Sequence, residues 1–557
     1  MKNSYFGRRG FFTLEQKQDV RSLAAFRILA GAYVMYDILS RLQHGRFSLL
    51  WYTSTENSFL LPDDTPHRSP VHRIWFYRGS EMFQLCLFFV TFLLALSFSL
   101  GYKCNVVSKT LLWLNVVAMQ CRCMPPHDGS DTFLRHLLLW SIQLPMSRVW
   151  SIDSMRGRSW KWNDYSMAEQ NNSYKLKSDV GVGRKKWMMN MEYCEIHNRA
   201  AVWGIRLQII IMYIGTVMHR TVDSYGWLGI HKSKWLPPQL TAVHYALNSS
   251  FSPRECWLGD FVRTNLIVSQ SMTLMAMVFE GFAPIFCLIM GEKTHIPAFV
   301  LFKLHFGLLV LMNLPNWQFV GMIASVIWLP SWVWNSLQRT ISLKFPTACS
   351  PPHVEMSPES LKKKDIYLRS EKSTDNQYSQ DSTHKVKTGR RRRPLLSYFF
   401  LSYMLYDFAG NRHWFHKIDD GDIGEFLRFS QYWVMFSGPA TTGNHIMITG
   451  SLNGRTDVNV WEWIKNENNV QVVDMDIFQK EIWTNMTHVY PSPRIERAMS
   501  EWHKDKKKTE HFLNSLCTIT PFTTFTFIAR MFSVRSPGAE VRLSKEYADR
   551  IVQVTCD

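Results

Sequence analysis

Nine ionisable residues stand inside or at the ends of apolar stretches of this 557-residue chain: Arg27, Asp37, Arg41, Asp131, Arg135, His219, Arg220, Glu280 and His305. At membrane depth such groups are rare, and they mark binding sites, proton relays or the counter-charges of other buried groups. Arg27 and Asp37 are ten positions apart on one helical stretch, within about 80° of each other around its axis. They can face one site together or pair structurally with other spans. Glu280 can belong to a site or serve as counter-ion to Arg27 or Arg220, because a buried charge must be paired. His305 fits either a functional imidazole or a hydrogen-bonded packing residue. His219 titrates near neutrality, yet it points about 100° away from its neighbour Arg220 on a helix.

These residues need elements that hold them in an apolar medium. Between Leu304 and Gln338 there are 35 residues without a single Asp, Glu, Lys or Arg. Met82–Leu100 is another charge-free stretch, and Asn265–Met290 is interrupted only by Glu280. A bilayer's hydrocarbon layer of roughly 30 Å takes about 20 such residues as a helix. The hydrophobic fraction of 46% and the mean hydropathy of -0.14 hide this pattern, because long polar segments dilute the spans. Read by window, spans fall at 24–41, 82–101, 109–124, 132–147, 200–218, 263–290, 297–314 and 317–337, with Pro315-Asn316 turning between the last two. Leu395–Phe408 is a ninth span or an interfacial helix. No cleavable signal peptide is evident, so the first span acts as an anchor.

The net charge is +18, and its placement sets an expected orientation. Arg148–Arg199 carries ten Lys and Arg, and Arg339–Arg393 carries thirteen, both on the side of the N-terminus. Positive loops stay in the cytoplasm, so the N-terminus is expected there, with Lys362–Lys364 and Arg390–Arg393 at an anionic lipid surface. No nucleic-acid partner is expected. Residues 346–393, rich in Ser, Pro, Thr and Lys, read as a disordered linker. Acceptor motifs for N-glycans at Asn248 and Asn485 fall on the far side, and one at Asn171 falls in a cytoplasmic loop.

Beyond Asp419 the pattern changes. His445–Leu452 is β-prone, Asn453-Gly454 is a strong two-residue hairpin signal, and Thr456–Trp463 alternates. Arg494–Leu516 reads as a charged helix, and Phe522–Val534 is too short for a span. The expected fold is an all-α polytopic membrane bundle of about eight or nine transmembrane helices with a C-terminal α+β, β-rich extramembrane domain. Its parts are a cytoplasmic tail at 1–23, the bundle at 24–345 with an insertion at 148–199, the linker at 346–393, the last helix at 394–410 and the far-side domain at 411–557. Cys121-x-Cys123 has no second pair at zinc spacing, so no metal site is expected, and the ten cysteines define no disulfide framework. Cys256, Cys517 and Cys556 fall on the expected oxidising side.

Several segments together resemble the horizontally transferred transmembrane (HTTM) family, which includes the vitamin K-dependent γ-glutamyl carboxylases. They are Arg27…Gly31…Asp37…Arg41, Gly129-Ser130-Asp131…Leu134-Arg135, Tyr213…His219-Arg220, Phe279-Glu280…Pro284, His305 with Leu314-Pro315, and Gln431-Tyr432-Trp433…Pro439. The likeness spans residues 20–465, with insertions at 150–198 and 346–390. It implies reduced vitamin K or another quinone as cofactor, a lipid-soluble or glutamate-containing peptide substrate, membrane lipids as partners, and an endoplasmic-reticulum or other secretory membrane. In that family an unprotonated lysine deprotonates the hydroquinone. The matching position here is Arg220, and a guanidinium stays protonated. Ser130-Asp131 stands where the carboxylases carry Asn-His. The resemblance therefore implies a diverged carboxylase-type enzyme, or a non-catalytic lipid- or quinone-binding scaffold.

Overall fold

A computed structural model describes residues 18–53, 59, 79–122, 129–155, 199–248, 256–290, 293–312, 314, 316–344, 395–412, 442–465, 472, 499, 505–534, 543–544 and 550–556. The 346–393 linker, Asn171, Asn485, Cys123 and the Gln431–Pro439 segment lie outside them. The chain divides into two compact units, one of residues 1–160, 190–330 and 396–557, the other of 161–189 and 331–395.

The first unit is mostly helical. Its helices are α1 (Val20–Arg41), α2 (Gly45–Leu49), α3 (Glu81–Leu100), α4 (Val106–Arg122), α5 (Gly129–Ile142), α6 (Ile152–Met155), α7 (Arg199–Met218), α8 (Ser224–Gly229), α9 (Ala242–Asn248), α10 (Trp257–Thr264), α11 (Leu266–Ile289), α12 (His295–Leu311) and α13 (Trp317–Ser325). In the second unit, the described residues form α14 (Ser331–Lys344). The last bundle helix, α15 (Leu395–Asn411), belongs from Leu396 onward to the first unit.

Among the described residues four helices are long and apolar enough to cross a membrane: α1, α3, the run Ala200–Lys232 and α11. A fifth is added if α13 with its 3-10 extension and the start of α14 count as one broken span. The expectation of eight or nine full-length spans is corrected by length. Helices α5 and α13 have 14 and nine residues, about 21 and 14 Å at 1.5 Å per residue. The stretch 317–337 is not one helix either: α13 tightens into a 3-10 turn at Val326–Trp328 and stops before Pro330, whose ring cannot continue a helical ladder.

Small residues let the helices approach. A Cβ on Gly31 would fall 2.7–2.9 Å from Ser99 and the Ala95 carbonyl, so α1 and α3 touch backbone to backbone there. Ser99 Oγ donates to the Ile28 carbonyl at 3.0 Å across the same contact. Gly204 on α7 likewise leaves room for the ring of Trp140.

The C-terminal part carries a five-stranded antiparallel sheet in the order β2-β1-β3-β4, with β5 also on β3. The strands are β1 (Thr442–Leu452), β2 (Arg455–Asn459), β3 (Thr524–Val534), β4 (Leu543–Ser544) and β5 (Arg550–Thr555). The Asn453-Gly454 hairpin forms as expected, with φ of 51° and 76°, the pair of positive values a type I′ turn requires. Strand β2 stops at Asn459, whose side-chain oxygen accepts the Trp461 and Glu462 N–H groups and starts α16 (Val460–Lys465). The alternating stretch to Trp463 is thus half strand and half helix. The charged helix α17 (Lys506–Ile519) is capped by Asp505 accepting from Lys507 N and Lys508 N; the expected stretch before this cap lies, apart from Met499, outside the described residues. A disulfide joins Cys517 on α17 to Cys556 after β5. Trp51 and Phe59, from the connection after α1, pack on Phe512 of α17, and Phe47 packs on Trp461. The sheet domain and that connection therefore share one core.

Gly31→Ala tests the α1–α3 contact. Two helix backbones must separate to admit the methyl, so the variant is expected to lose about 1–3 kcal/mol of stability, read as a lowered Tm in detergent.

Candidate functional site

The nine residues singled out do not gather in one place. Their described side chains form three polar groups, two of them at opposite ends of α1, and a separate contact at Arg135.

The first group lies between α7, α11, α12 and α13. Tyr213 and Arg220 are seven residues apart, two turns, and so share one face of α7 and its extension. Beyond Met218 the helix widens into a π turn at His219–Asp223, a feature frequent at functional sites. The Arg220 guanidinium, 1% exposed, pairs with the Glu280 carboxylate of α11. It also lies over the Trp235 ring, 4.1 Å from the centroid. Ser233 Oγ donates to the Arg220 carbonyl at 2.8 Å and anchors the returning chain that carries Trp235. Deeper along the same face, the Tyr213 hydroxyl meets His305 Nε2 at 2.5 Å. The His305 ring is fully buried, sits edge-on to Trp317 at 5.8 Å, and fills the space left by the missing side chain of Gly321. Its Nδ1 has no hydrogen-bond partner. A neutral imidazole has one donor and one acceptor nitrogen, so Tyr213 satisfies one role and the other is unmet.

A second ion pair closes this region. Arg412, just past α15, pairs with Asp223, and its Nη2 donates to the Gly215 carbonyl at 2.7 Å beside the π turn. His219 is half-buried and stands outside the Arg220–Glu280 pair, the carbonyl of its own backbone accepting from Ser224 Oγ.

The second group is centred on Arg41. Its Nε donates to Asp37 at 2.9 Å, Nη2 to Asp131 at 2.8 Å and Nη1 to the Tyr52 hydroxyl at 3.0 Å. Asn316 Nδ2 donates to the other Asp37 oxygen at 3.1 Å. One guanidinium thus ties α1, α5, the connection after α1 and the start of α13 together.

The third group sits near the other end of α1. Arg27 Nη2 donates to the Trp150 carbonyl, and Nη1 packs against Gly101, where a Cβ would overlap it. Asp153 accepts the backbone N–H groups of Lys103 and Cys104, both at 2.9 Å. Lys109 Nζ donates to the Ser141 and Leu144 carbonyls at 3.0 and 2.8 Å. Fourteen residues, about 21 Å of helix, separate Arg27 from Arg41. Arg27 is therefore held apart from Arg41 and its partner Asp131, because a helix cannot bring two residues that far apart along its axis to one point.

Arg135 contacts Gln120 and Thr132 at 3.3 and 3.1 Å. Asn248 ends α9, its Nδ2 donating to the His244 carbonyl at 2.8 Å. Among the described residues no group of three His, Cys, Asp or Glu side chains could hold a metal.

Chemically, the first group offers a guanidinium for an anion, a carboxylate that can yield to a competing anion, and a phenol–imidazole pair able to pass a proton. Charge-assisted bonds from arginine suit carboxylates and phenolates. From the sequence, Tyr213 belongs only to a segment carrying the family resemblance and is not a candidate site residue. Trp235, Arg412 and Asn316 were not legible as such, because each arrives from a separate segment.

Truncating one partner of the buried pair should cost more than removing both. Glu280→Ala, which strands a buried guanidinium, is expected to lose about 3–5 kcal/mol, and Arg220→Met with Glu280→Leu clearly less, measured as Tm in a double-mutant cycle. Comparison of the chain with protein-family models, curated proteins and solved structures gives no match.

Proposed function

We propose that this chain is a multi-pass membrane protein of HTTM-like type whose Tyr213–His305 and Arg220–Glu280 pairs bind the polar head of a lipid-soluble, quinone-like molecule. The observation that carries the proposal is the engagement of Arg220. A wholly buried guanidinium, paired with Glu280 and stacked on Trp235, holds an anion or a phenolate and does not remove a proton. Conventional vitamin K-dependent carboxylation is therefore not its reaction. A diverged carboxylase-type enzyme would have to draw its base from the Tyr213–His305 pair or from His219. The saturated state of Arg220 favours the second reading, a lipid- or quinone-binding scaffold without catalysis.

The orientation follows the same proposal. The N-terminus and the 148–199 insertion are cytoplasmic, and the sheet domain is on the oxidising side of a secretory membrane. Three observations support it. The basic loops flank the N-terminal side. The Cys517–Cys556 disulfide suits an oxidising compartment. Helix α15 runs from Ser397, bonded to Gln143 after α5, to Arg412, bonded at the far end of α7, and so would carry the domain across. Asn248 and Asn485 would carry glycans and Asn171 none.

Two measurements test these statements. Purified full-length protein given a hydroquinone, a glutamate peptide and labelled bicarbonate should incorporate no label, while a short-chain naphthoquinone should raise its Tm and fail to do so for Arg220→Gln. Incorporation that is lost in His219→Ala and kept in Arg220→Gln would install His219 as the base and sink the proposal. For orientation, Arg455→Ser turns the exposed β1–β2 hairpin into an acceptor motif at Asn453. One additional glycan in cells is expected, and an unchanged glycan count contradicts the far-side placement.

A further inference from the structure

The chain between α7 and α11 leaves the Arg220 site and returns to it. It departs through the π turn, reaches Trp227 and Leu228 on α8, and comes back to place Trp235 over Arg220. The two side chains at the tip are 76% and 95% exposed. On α10, Trp257 is 78% exposed and Phe261, one turn on, is exposed beside it. Four large apolar side chains on one connection are more than a water-facing loop ordinarily shows.

Their surroundings point to what covers them. The return of the connection, at Trp235 and Ala242–Val243, lies along the first half of α11. Val243 N–H donates to Thr273 Oγ1 at 3.1 Å, and Trp235 shares a small core with Ala242 and Met277. Met277 is eleven residues into α11, about 16 Å of a helix whose 24 residues span about 36 Å. At the same levels α11 turns Ile267, Leu274, Met275 and Val278 outward and exposed, the face of a helix long and apolar enough to cross a membrane. Tryptophan favours the headgroup boundary. Short helices with an apolar outer face lie in that plane, whereas bare loop backbone is not tolerated in the hydrocarbon. Lys232, at the start of the return segment and exposed, has a stem long enough to reach the headgroups.

We propose that this connection is a lipid-seated lid: the Trp227–Leu228 tip and the Trp257–Phe261 face are embedded in the bilayer leaflet, so the Arg220–Glu280 site is reached from the lipid and not from water. The occupant of the surface is the lipid itself. The lid is pinned at both ends to Arg220, by the continuous chain on one side and by Ser233 and Trp235 on the other, so lifting the tip moves the ring that covers the guanidinium. The ligand class that fits this route is an amphiphile, an apolar tail already in the leaflet with an anionic or phenolic head. That last statement rests on the function proposed above, while the seating of the lid does not.

A photoreactive benzophenone amino acid, placed singly at position 228 or 257 of the full chain in phosphatidylcholine nanodiscs, tests the seating without any activity assay. Position 282, exposed on the outer face of α11, gives the lipid-facing reference, and position 455 in the β1–β2 turn gives the aqueous one. Adducts to labelled phosphatidylcholine at 228 and 257 should match those at 282 and exceed those at 455 several-fold. Labelling at the level of 455, or adducts to a second polypeptide in place of lipid, overturns the proposal. If lipid adducts form while no quinone shifts the Tm, the lid stands and only the ligand assignment falls.

Discussion

Fully buried guanidinium groups must be paired, and the interior of this protein is arranged around that requirement. Arg27, Arg41 and Arg220 have almost no contact with the outside, and a charge moved into an apolar interior costs several kcal/mol even after relaxation. They are met to different degrees: Arg41 by two carboxylates and a phenol, Arg220 by one carboxylate and an indole face, and Arg27 at Nη2 alone, by the backbone carbonyl of Trp150, its Nε and Nη1 having no hydrogen-bond partner among the described residues. Asp37 apart, which lies one turn away on the same helix, the partners come from distant segments, so these pairings also cross-link separate parts of the chain. The polar residues that resemble a site from the sequence are therefore, in the first instance, what sets the helix order.

Arg41 shows the consequence most clearly. Three separate segments converge on it or on its partner Asp37, and the aromatic contacts of Trp51 and Phe59 continue from Tyr52 into the sheet domain. That domain depends in turn on its own disulfide and on Trp461, which is wholly buried. The bundle and the sheet of the first unit are thus joined through apolar packing that starts one residue away from an ion-pair hub.

The Arg220 group differs in kind. Its residues are satisfied with something left over: an imidazole nitrogen without a partner, a π turn in place of a regular helix end, and an indole brought back over the guanidinium. Strain and incomplete hydrogen bonding persist in folded proteins mainly where function needs them. The Arg41 group has the character of a structural clamp by comparison, with short contacts on every nitrogen and no irregular helix beside it.

Local sequence was enough to determine the long apolar helices and the Asn453-Gly454 hairpin, and to exclude a span at Phe522–Val534 without choosing between strand and packed helix, because hydropathy and turn chemistry are properties of neighbouring residues. It was also enough to pick out Arg27, Asp37, Asp131, Arg220, Glu280 and His305, since an ionisable residue in an apolar stretch is visible without knowing its partner. Which partner each one has was decided only by the tertiary structure. Glu280 could have met Arg27 or Arg220, and it meets Arg220 because α11 packs on α7, whereas Arg27 faces the opposite end of its helix. The span count failed for a related reason. Charge-free length suggests a crossing, but Pro330, the 3-10 turn before it and the brevity of α5 and α13 come from how helices end against their neighbours. Spacing along a chain fixes what lies one or two turns away; only packing brings together residues that are 60 or 90 positions apart.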